Sequence, residues 1–222
     1  MLLICGEKRP FFSQQRVGKN GNLFTLYKLR TIKESKHLDN GYSPLSSSQD
    51  TDITPFCKFL RNTKIDEFPQ FYNVLKGDLS FVGPRPLLPE IFYAYSLDIQ
   101  NAILTIRPGL SGIGSLAFRN ENKLLKNIPP KGYLDFYHQN IGPQKGALEA
   151  WYLNHRGFWT DTKILMITPW VLINPNFKFS LRWFKDLKKV EAKLKGVADK
   201  IECENLQSSK NSKTQNEKLI EL

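Results

Sequence analysis

Proline and glycine interrupt this chain so often that long regular elements are excluded over most of its length. Asn20-Gly21, Gly41 with Pro44, Pro55, Pro69, Gly83-Pro84-Arg85-Pro86, Arg107-Pro108-Gly109-Leu110-Ser111-Gly112 and Pro129-Pro130 follow one another along it. Each proline fixes φ and removes a backbone donor, and glycine at a turn opens conformations closed to other residues. The intervening pieces are short strands and helices. The fold class this implies is α/β (α+β), a small sheet or hairpin beside several helices.

Residues 10–32 read as two strands around Gly18-Lys19-Asn20-Gly21, because Asn-Gly tolerates positive φ and Leu23-Phe24-Thr25-Leu26-Tyr27 favours extended backbone. Residues 34–54 are polar and read as a loop. Residues 55–61 read as a helix with Thr54 as N-cap and Pro55 in its first position. A second helix is expected over 63–75, beginning near Asp66, with Phe68, Phe71, Tyr72 and Leu75 on its buried face. Gly77 suits its left-handed cap. Residues 88–104 carry a helical pattern. Residues 145–155 and 160–173 read as amphipathic helices bearing Trp151, Trp159 and Trp170. Residues 181–202 form a Lys-rich helical pattern before a polar end.

A length of 222 residues holds one globular domain and a tail, and 41% apolar with 24% charged residues marks a folded chain. The 32 Lys and Arg against 21 Asp and Glu leave a charge of +11, which favours polyanionic partners. Charge alone does not choose between phosphates, nucleic acid and an anionic membrane. The arginines lie in turns beside carboxylates rather than along one helix or an aromatic sheet face, so no nucleic-acid partner is expected. Cys5, Cys57 and Cys203 are too far apart for a zinc or redox motif, and their odd number fits inert thiols in a reducing compartment. No segment reaches the ~20 apolar residues of a spanning helix.

Four segments concentrate residue types that handle phosphate. Arg16-Val17-Gly18-Lys19-Asn20-Gly21, with Tyr27-Lys28-Leu29-Arg30-Thr31, joins backbone N–H groups at glycines to cationic side chains. In Arg61-Asn62-Thr63-Lys64-Ile65-Asp66-Glu67-Phe68-Pro69-Gln70, one carboxylate is placed to attack phosphorus and its neighbour to hold a divalent metal. A helix N-terminus at Asp66 would favour its anion, and Arg61 is near enough to meet the phosphate. Gly83-Pro84-Arg85-Pro86 presents one arginine on a backbone stiffened from both sides. Arg107-Pro108-Gly109-Leu110-Ser111-Gly112 is a second rigid turn with an arginine. Taken singly, each also reads as plain structure: a basic hairpin, an N-cap with a first-turn acid, a stiff turn, a surface loop.

In this order the segments resemble the bacterial sugar transferase family, the monotopic phosphoglycosyl transferases. The resemblance rests on Tyr27-Lys28-Leu29-Arg30-Thr31, Asp66-Glu67-Phe68-Pro69-Gln70, Asn73-Val74-Leu75-Lys76-Gly77-Asp78, Gly83-Pro84-Arg85-Pro86 and Arg107-Pro108-Gly109-Leu110-Ser111-Gly112. It covers roughly residues 8–170. It implies that Asp66 is the nucleophile toward a UDP-sugar, releasing UMP, and that a polyprenyl phosphate, undecaprenyl phosphate in this family, then accepts the phosphosugar. It implies Glu67 as the Mg²⁺ ligand and Arg61 and Arg85 as phosphate- or nucleotide-binding residues. Lys28, Arg30 and Arg107 are candidates for the same task. Such a reaction initiates exopolysaccharide, capsule, O-antigen or glycoprotein glycan assembly, with downstream glycosyltransferases as partners.

The family begins with a re-entrant membrane helix, whereas Met1-Leu2-Leu3-Ile4-Cys5 is only a short apolar stub. The expected division is therefore a residual anchor at 1–7, a catalytic domain at 8–180, and a basic helical segment with a tail at 181–222. The tryptophans and the Lys-rich segment suit a membrane interface, with some helices in the membrane plane. The expected place is the cytoplasmic face of the bacterial inner membrane. The alternative is a catalytically impaired, truncated member that only binds nucleotide-sugar or a partner.

Overall fold

The computed structural model describes residues 10–31, 53–93, 95–119, 133–174, 179–184 and 186–187. The expected anchor stub, almost all of the 34–54 loop, the Pro129-Pro130 loop, and most of the Lys-rich segment with its tail lie outside the described residues.

Strands β1 (Phe11–Val17) and β2 (Leu23–Leu29) form an antiparallel hairpin in which Phe11 faces Leu29 and Val17 faces Leu23. Asn20 at φ 60° and Gly21 at φ 80° make the reversal, as the dipeptide predicts. Helix α1 (Pro55–Asn62) begins as expected: Thr54 accepts a hydrogen bond from the Cys57 N–H, and Pro55 occupies the first turn. Cys57 is fully buried there and disulfide-bonded, against the expectation of reduced thiols.

The next stretch corrects the sequence reading. Asp66 does not start a helix. A separate 3₁₀ turn, Ile65–Glu67, holds both acids, and α2 runs only over Gln70–Lys76. Pro69 explains the break, because it has no N–H to continue a helix begun upstream. Gly77 caps α2 at φ 88°, as expected. The expected buried face is also reversed. Phe68, Phe71, Tyr72 and Leu75 are exposed, Leu75 by 86%, while Gln70 and Asn73 are buried.

Asn73 explains the reversal. Its side-chain oxygen accepts the Tyr27 N–H at 3.2 Å, and its amide donates to Thr25 O at 2.8 Å and to Asp78 Oδ2 at 3.2 Å. One fully buried amide thus joins α2 to β2 beside a small core of Phe24, Leu26 and Leu79. Asn73→Ala should cost about 2–4 kcal/mol, since it strands buried backbone groups, and urea unfolding would show the midpoint fall at constant slope.

Strands β3 (Ser80–Val82) and β4 (Gly109–Ser111) pair in parallel, Ser80 with Gly109 and Val82 with Ser111. The expected 107–112 turn therefore contains a strand. Between them, α3 (Pro89–Phe92) and α4 (Leu97–Ile103) replace the single helical pattern read over 88–104. Then come α5 (Ile113–Ala117), α6 (Tyr133–Phe136), a π-helical stretch Tyr137–Ile141, α7 (Gly142–His155) and α8 (Phe158–Ile173). The main core gathers Ile113, Ile141, Leu148 and Ile164, all fully buried. Leu181, Phe184 and Leu187 belong to it too, so the packed body continues past residue 180. Helix α8 is not simply amphipathic: Ile164 and Val171 are buried, yet Trp159, Met166, Trp170 and Ile173 face outward.

Candidate active site

The hairpin supplies the first cation. Phe24 and Leu26 point inward from β2, and Lys28 continues that face. A buried ammonium needs a partner, and Lys28 Nζ lies 3.0 Å from Glu67 Oε1. Lys64 Nζ stands 3.4 Å from the same oxygen and Arg85 Nη2 3.8 Å. Lys64 adopts φ 59°, a left-handed conformation rare outside glycine, which turns the chain from α1 into the Ile65–Glu67 turn.

These charges set the ionisation of the pair. Burial alone would raise the Glu67 carboxyl, but Lys28, Arg85 and Lys64 together hold it far below the usual carboxylate range. Asp66 goes the other way. Burial and the Glu67 charge push it up, against the pull of Lys28, Lys64 and Arg61. Adjacent carboxylates are thus driven apart, one a firm anion and the other reluctant. Burial also lowers Lys28, which Glu67 opposes. Arg16, lowered to about 10 by burial and by Arg85, sits behind the cluster and donates from Nη1 to Pro86 O at 3.2 Å.

Three polar atoms in and behind the cluster are buried without a hydrogen bond: Asp66 Oδ1, Arg61 Nη1 and Arg16 Nε. The ion pairs of Glu67 all run through Oε1, leaving Oε2 outside them. The Glu67 oxygen outside the ion pairs suits a Mg²⁺ ligand, because that ion takes few protein carboxylates and keeps positions for substrate phosphate. No group of three or more His, Cys, Asp or Glu suited to a metal occurs among the described residues, so substrate oxygens or water would complete such a shell.

The two rigid turns form one unit. Gly83 N–H donates to Ser111 O at 2.9 Å and Gly109 N–H to Pro84 O at 2.8 Å. A side chain at Gly83 would meet Arg107 O at 2.8 Å, so only glycine permits this approach. The turn carrying Arg85 is thereby fixed toward Glu67.

Of the candidate residues, Asp66, Glu67, Arg61, Lys28 and Arg85 converge. Arg30 lies at the end of β2 with its guanidinium 5.8 Å from the Phe12 ring. Arg107 opens on a separate cleft of about 630 Å³, lined also by Lys19, Tyr152, Arg156 and Asp161. The chemistry of the acidic pair, not the size of that cleft, marks the candidate site. Arg16 and Lys64 stood inside the motifs without an assigned role. Their signal was basic charge near the other two elements of the cluster.

Glu149 on α7 carried no sequence signal of its own. It is buried and raised to about 7, chiefly by burial, with Lys145 and Arg85 opposing. Between the ordinary value of 4.5 and about 7 the unfolded chain ionises this group while the folded chain retains its proton. Stability therefore falls as pH rises through that window, by about 3 kcal/mol in all. Unfolding curves should show this loss in the wild type and a flatter profile in Glu149→Gln.

Comparison with known proteins follows the same lines. Residues 1–175 match the profile of the family described as Bacterial sugar transferase. The galactosyl transferase CpsE of Streptococcus agalactiae serotype III (strain NEM316) is 36% identical over 189 residues, covering 75% of this chain and 38% of that protein. The undecaprenyl-phosphate galactose phosphotransferase of Salmonella typhimurium (strain LT2) is 29% identical over 177 residues, covering 73% of this chain and 33% of the relative. The UDP-glucose:undecaprenyl-phosphate glucose-1-phosphate transferase of Xanthomonas campestris pv. campestris is 30% identical over 162 residues, covering 71% and 30%. The chain thus spans between 30% and 38% of the length of these three relatives.

Proposed function

The chain belongs to the bacterial sugar transferase family, and from that premise we propose that it transfers a phosphosugar from a UDP-sugar to a polyprenyl phosphate, undecaprenyl phosphate in its named relatives. The observation that carries this reading is the charge of the site. Five cationic side chains, Arg16, Lys28, Arg61, Lys64 and Arg85, act on two carboxylates. Such an excess is costly when empty and is offset by an anionic ligand such as a diphosphate.

Asp66 attacks the phosphorus that bears the sugar. An oxygen–phosphorus bond forms to Asp66 as the phosphorus–oxygen bond to UMP breaks, and UMP leaves with the electron pair. An oxygen of the polyprenyl phosphate then attacks the same phosphorus. The Asp66 bond breaks, the carboxylate is restored, and the product is a polyprenyl diphosphate sugar. Arg61, with a buried N–H lacking a partner, and Arg85 hold the phosphate oxygens. Lys28 and Lys64 keep Glu67 ionised and in place. Glu67 would hold a Mg²⁺, which supplies neutralising charge to the diphosphate and its leaving group.

The lipid acceptor fits the surroundings. Ile65 and Phe68 flank the acids and are exposed, and Phe68, Phe71 and Phe81 form a chain of rings 5.1 and 6.2 Å apart. Helix α8, which packs against β3, adds Met166, Trp170 and Ile173 to the exposed apolar surface. A surface of this kind marks an interaction site, and here it suits a bilayer surface. No described helix is long and apolar enough to cross a membrane. The catalytic centre is then at the cytoplasmic face, where UDP-sugars are supplied, and the lipid-linked product passes to downstream glycosyltransferases. The test is UMP release from UDP-sugars by the full chain in mixed micelles. Release beyond about one UMP per enzyme is expected only with both Mg²⁺ and polyprenyl phosphate, and formation of lipid-linked sugar should match that sustained release. Nucleotide-sugar binding without either product would overturn the proposal.

A further inference from the structure

The cleft that Arg107 lines is not used by the chemistry above. Its volume of about 630 Å³ falls within the range of roughly 300–1,000 Å³ typical of small-molecule sites. Three cations line it, each from a different turn: Lys19 from the hairpin reversal, Arg107 from the segment leading into β4, and Arg156 from the corner between α7 and α8. Among the described residues their side chains make no hydrogen bond or ion pair. The one carboxylate in the lining, Asp161, is held by a neutral donor instead. Tyr152 Oη donates to its Oδ1 at 2.9 Å and lies 3.3 Å from Val82 O.

The walls are tied to one another. Asn20 N–H donates to Leu104 O at 2.9 Å, which fixes the hairpin reversal against the segment carrying Arg107. The Ser111 and Thr168 hydroxyls, 2.6 Å apart, join β4 to α8, and Tyr152 joins α7 to α8. A solvated basic surface accounts for each cation singly. It does not account for three of them meeting around one space with cross-tied walls. Like charges so placed repel, and an anion between them removes that cost.

The lining also selects the kind of anion. A bare phosphate ion would leave most of the cleft empty, and Val82 and Ile106 offer apolar wall to a larger ligand. Asp161 Oδ2, without a hydrogen bond among the described residues, is free to accept one from a hydroxyl group. The orientation of α8 separates the sources of phosphate. Asp161, Ile164, Thr168 and Val171 recur at helical spacing on the side packed against the body. Trp159, Met166, Trp170 and Ile173 form the exposed stripe on the opposite side. With that stripe at a bilayer, the cleft faces water.

We infer that this cleft is a second phosphate site, separate from the acidic pair, and that it takes a soluble phosphate ester bearing hydroxyl groups, the class of nucleotides and sugar phosphates. Lys19, Arg107 and Arg156 hold the phosphate, and Asp161 accepts from a ligand hydroxyl. The inference rests on the bilayer reading of α8 only for the choice of a soluble ester over a lipid headgroup.

Calorimetric titration of the full chain in micelles with UMP, without divalent metal, tests it. Methyl phosphate serves as an ester without hydroxyls, and phosphatidylglycerol vesicles supply the lipid headgroup. UMP should bind saturably, and at least about tenfold more tightly than methyl phosphate. Arg107→Ala should weaken UMP binding by about tenfold or more, and so should Arg156→Ala, which removes an exposed side chain without partners. Arg85→Ala should change it by less than about threefold, since that residue belongs to the other site. Binding lost in Arg85→Ala but kept in Arg107→Ala and Arg156→Ala would place the ester at the acidic pair and overturn the inference. Absence of saturable UMP binding, or methyl phosphate binding as tightly as UMP, would overturn it too. So would vesicle binding that depends on Arg107 and Arg156 and is not displaced by UMP. A chain that binds UMP in the expected pattern but releases none from UDP-sugars would end the transferase reading and leave this site standing.

Discussion

Asp66→Asn should abolish phosphosugar transfer, by about 10⁴-fold or more, while the protein stays folded and gains stability at neutral pH. The amide is nearly the same size as the carboxylate, but it cannot bond to phosphorus and leave again as an anion. The gain follows from the direction of the pKa shift. Burial, and then Glu67, raise Asp66 above its ordinary value of 3.8. A group raised in the folded state contributes stability below its unfolded pKa and loses it as pH rises through the folded one. At neutral pH, above its ordinary value, this raised carboxyl is therefore a net cost that asparagine removes. UMP release and thermal unfolding on the same preparations measure both effects. Normal turnover would remove Asp66 from the chemistry, and a clear loss of stability would contradict its electrostatic description.

Glu67→Gln should be the most destabilising change in the cluster, at about 3 kcal/mol, and should also abolish turnover. Lys28, Lys64 and Arg85 all approach one Glu67 oxygen. Without its charge, three cations face one another with only Asp66 to offset them. The sign with pH is opposite to that of Asp66. Glu67 is lowered in the folded state, so its contribution is present above its unfolded value of 4.5 and is lost as pH falls toward the folded value. Denaturant unfolding should show a large gap between wild type and variant near neutrality that narrows in strong acid. A constant gap across that range would mean that packing, not charge, is what Glu67 provides.

The hairpin, the start of α1 and the end of α2 were legible in the sequence because each depends on a local rule. Asn20-Gly21 reverses the chain, Thr54 with Pro55 starts a helix, and Gly77 ends one. The converging cluster was legible through the ordered motifs, whose spacing carries more information than any one of them. The phase of α2 was not. Phe68, Phe71, Tyr72 and Leu75 do lie at helical spacing, but periodicity reports an apolar face without saying what covers it. Inside, a polar residue won that face, because Asn73 satisfies buried backbone groups of β2 that no apolar side chain could. Helix α8 shows the same ambiguity, since its apolar residues serve both the core and the outer surface.

Arg107 and Arg30 show the other limit. Both stand inside motifs, yet the strand geometry carries Arg30 toward Phe12 and the β3–β4 pairing carries Arg107 to another cleft. Glu149 was hidden for a converse reason. A Lys–Glu pair four residues apart on a helix usually lies at the surface, and only tertiary packing shows that Lys145 and Glu149 are inside.

Mass spectrometry of the full chain, quenched during turnover of a UDP-sugar, tests the central claim most directly. A hexose-phosphate-type mass increment on the peptide containing Asp66, formed with UMP and discharged when polyprenyl phosphate is added, is the predicted result. Steady accumulation of lipid-linked product with no such increment at any time would contradict it.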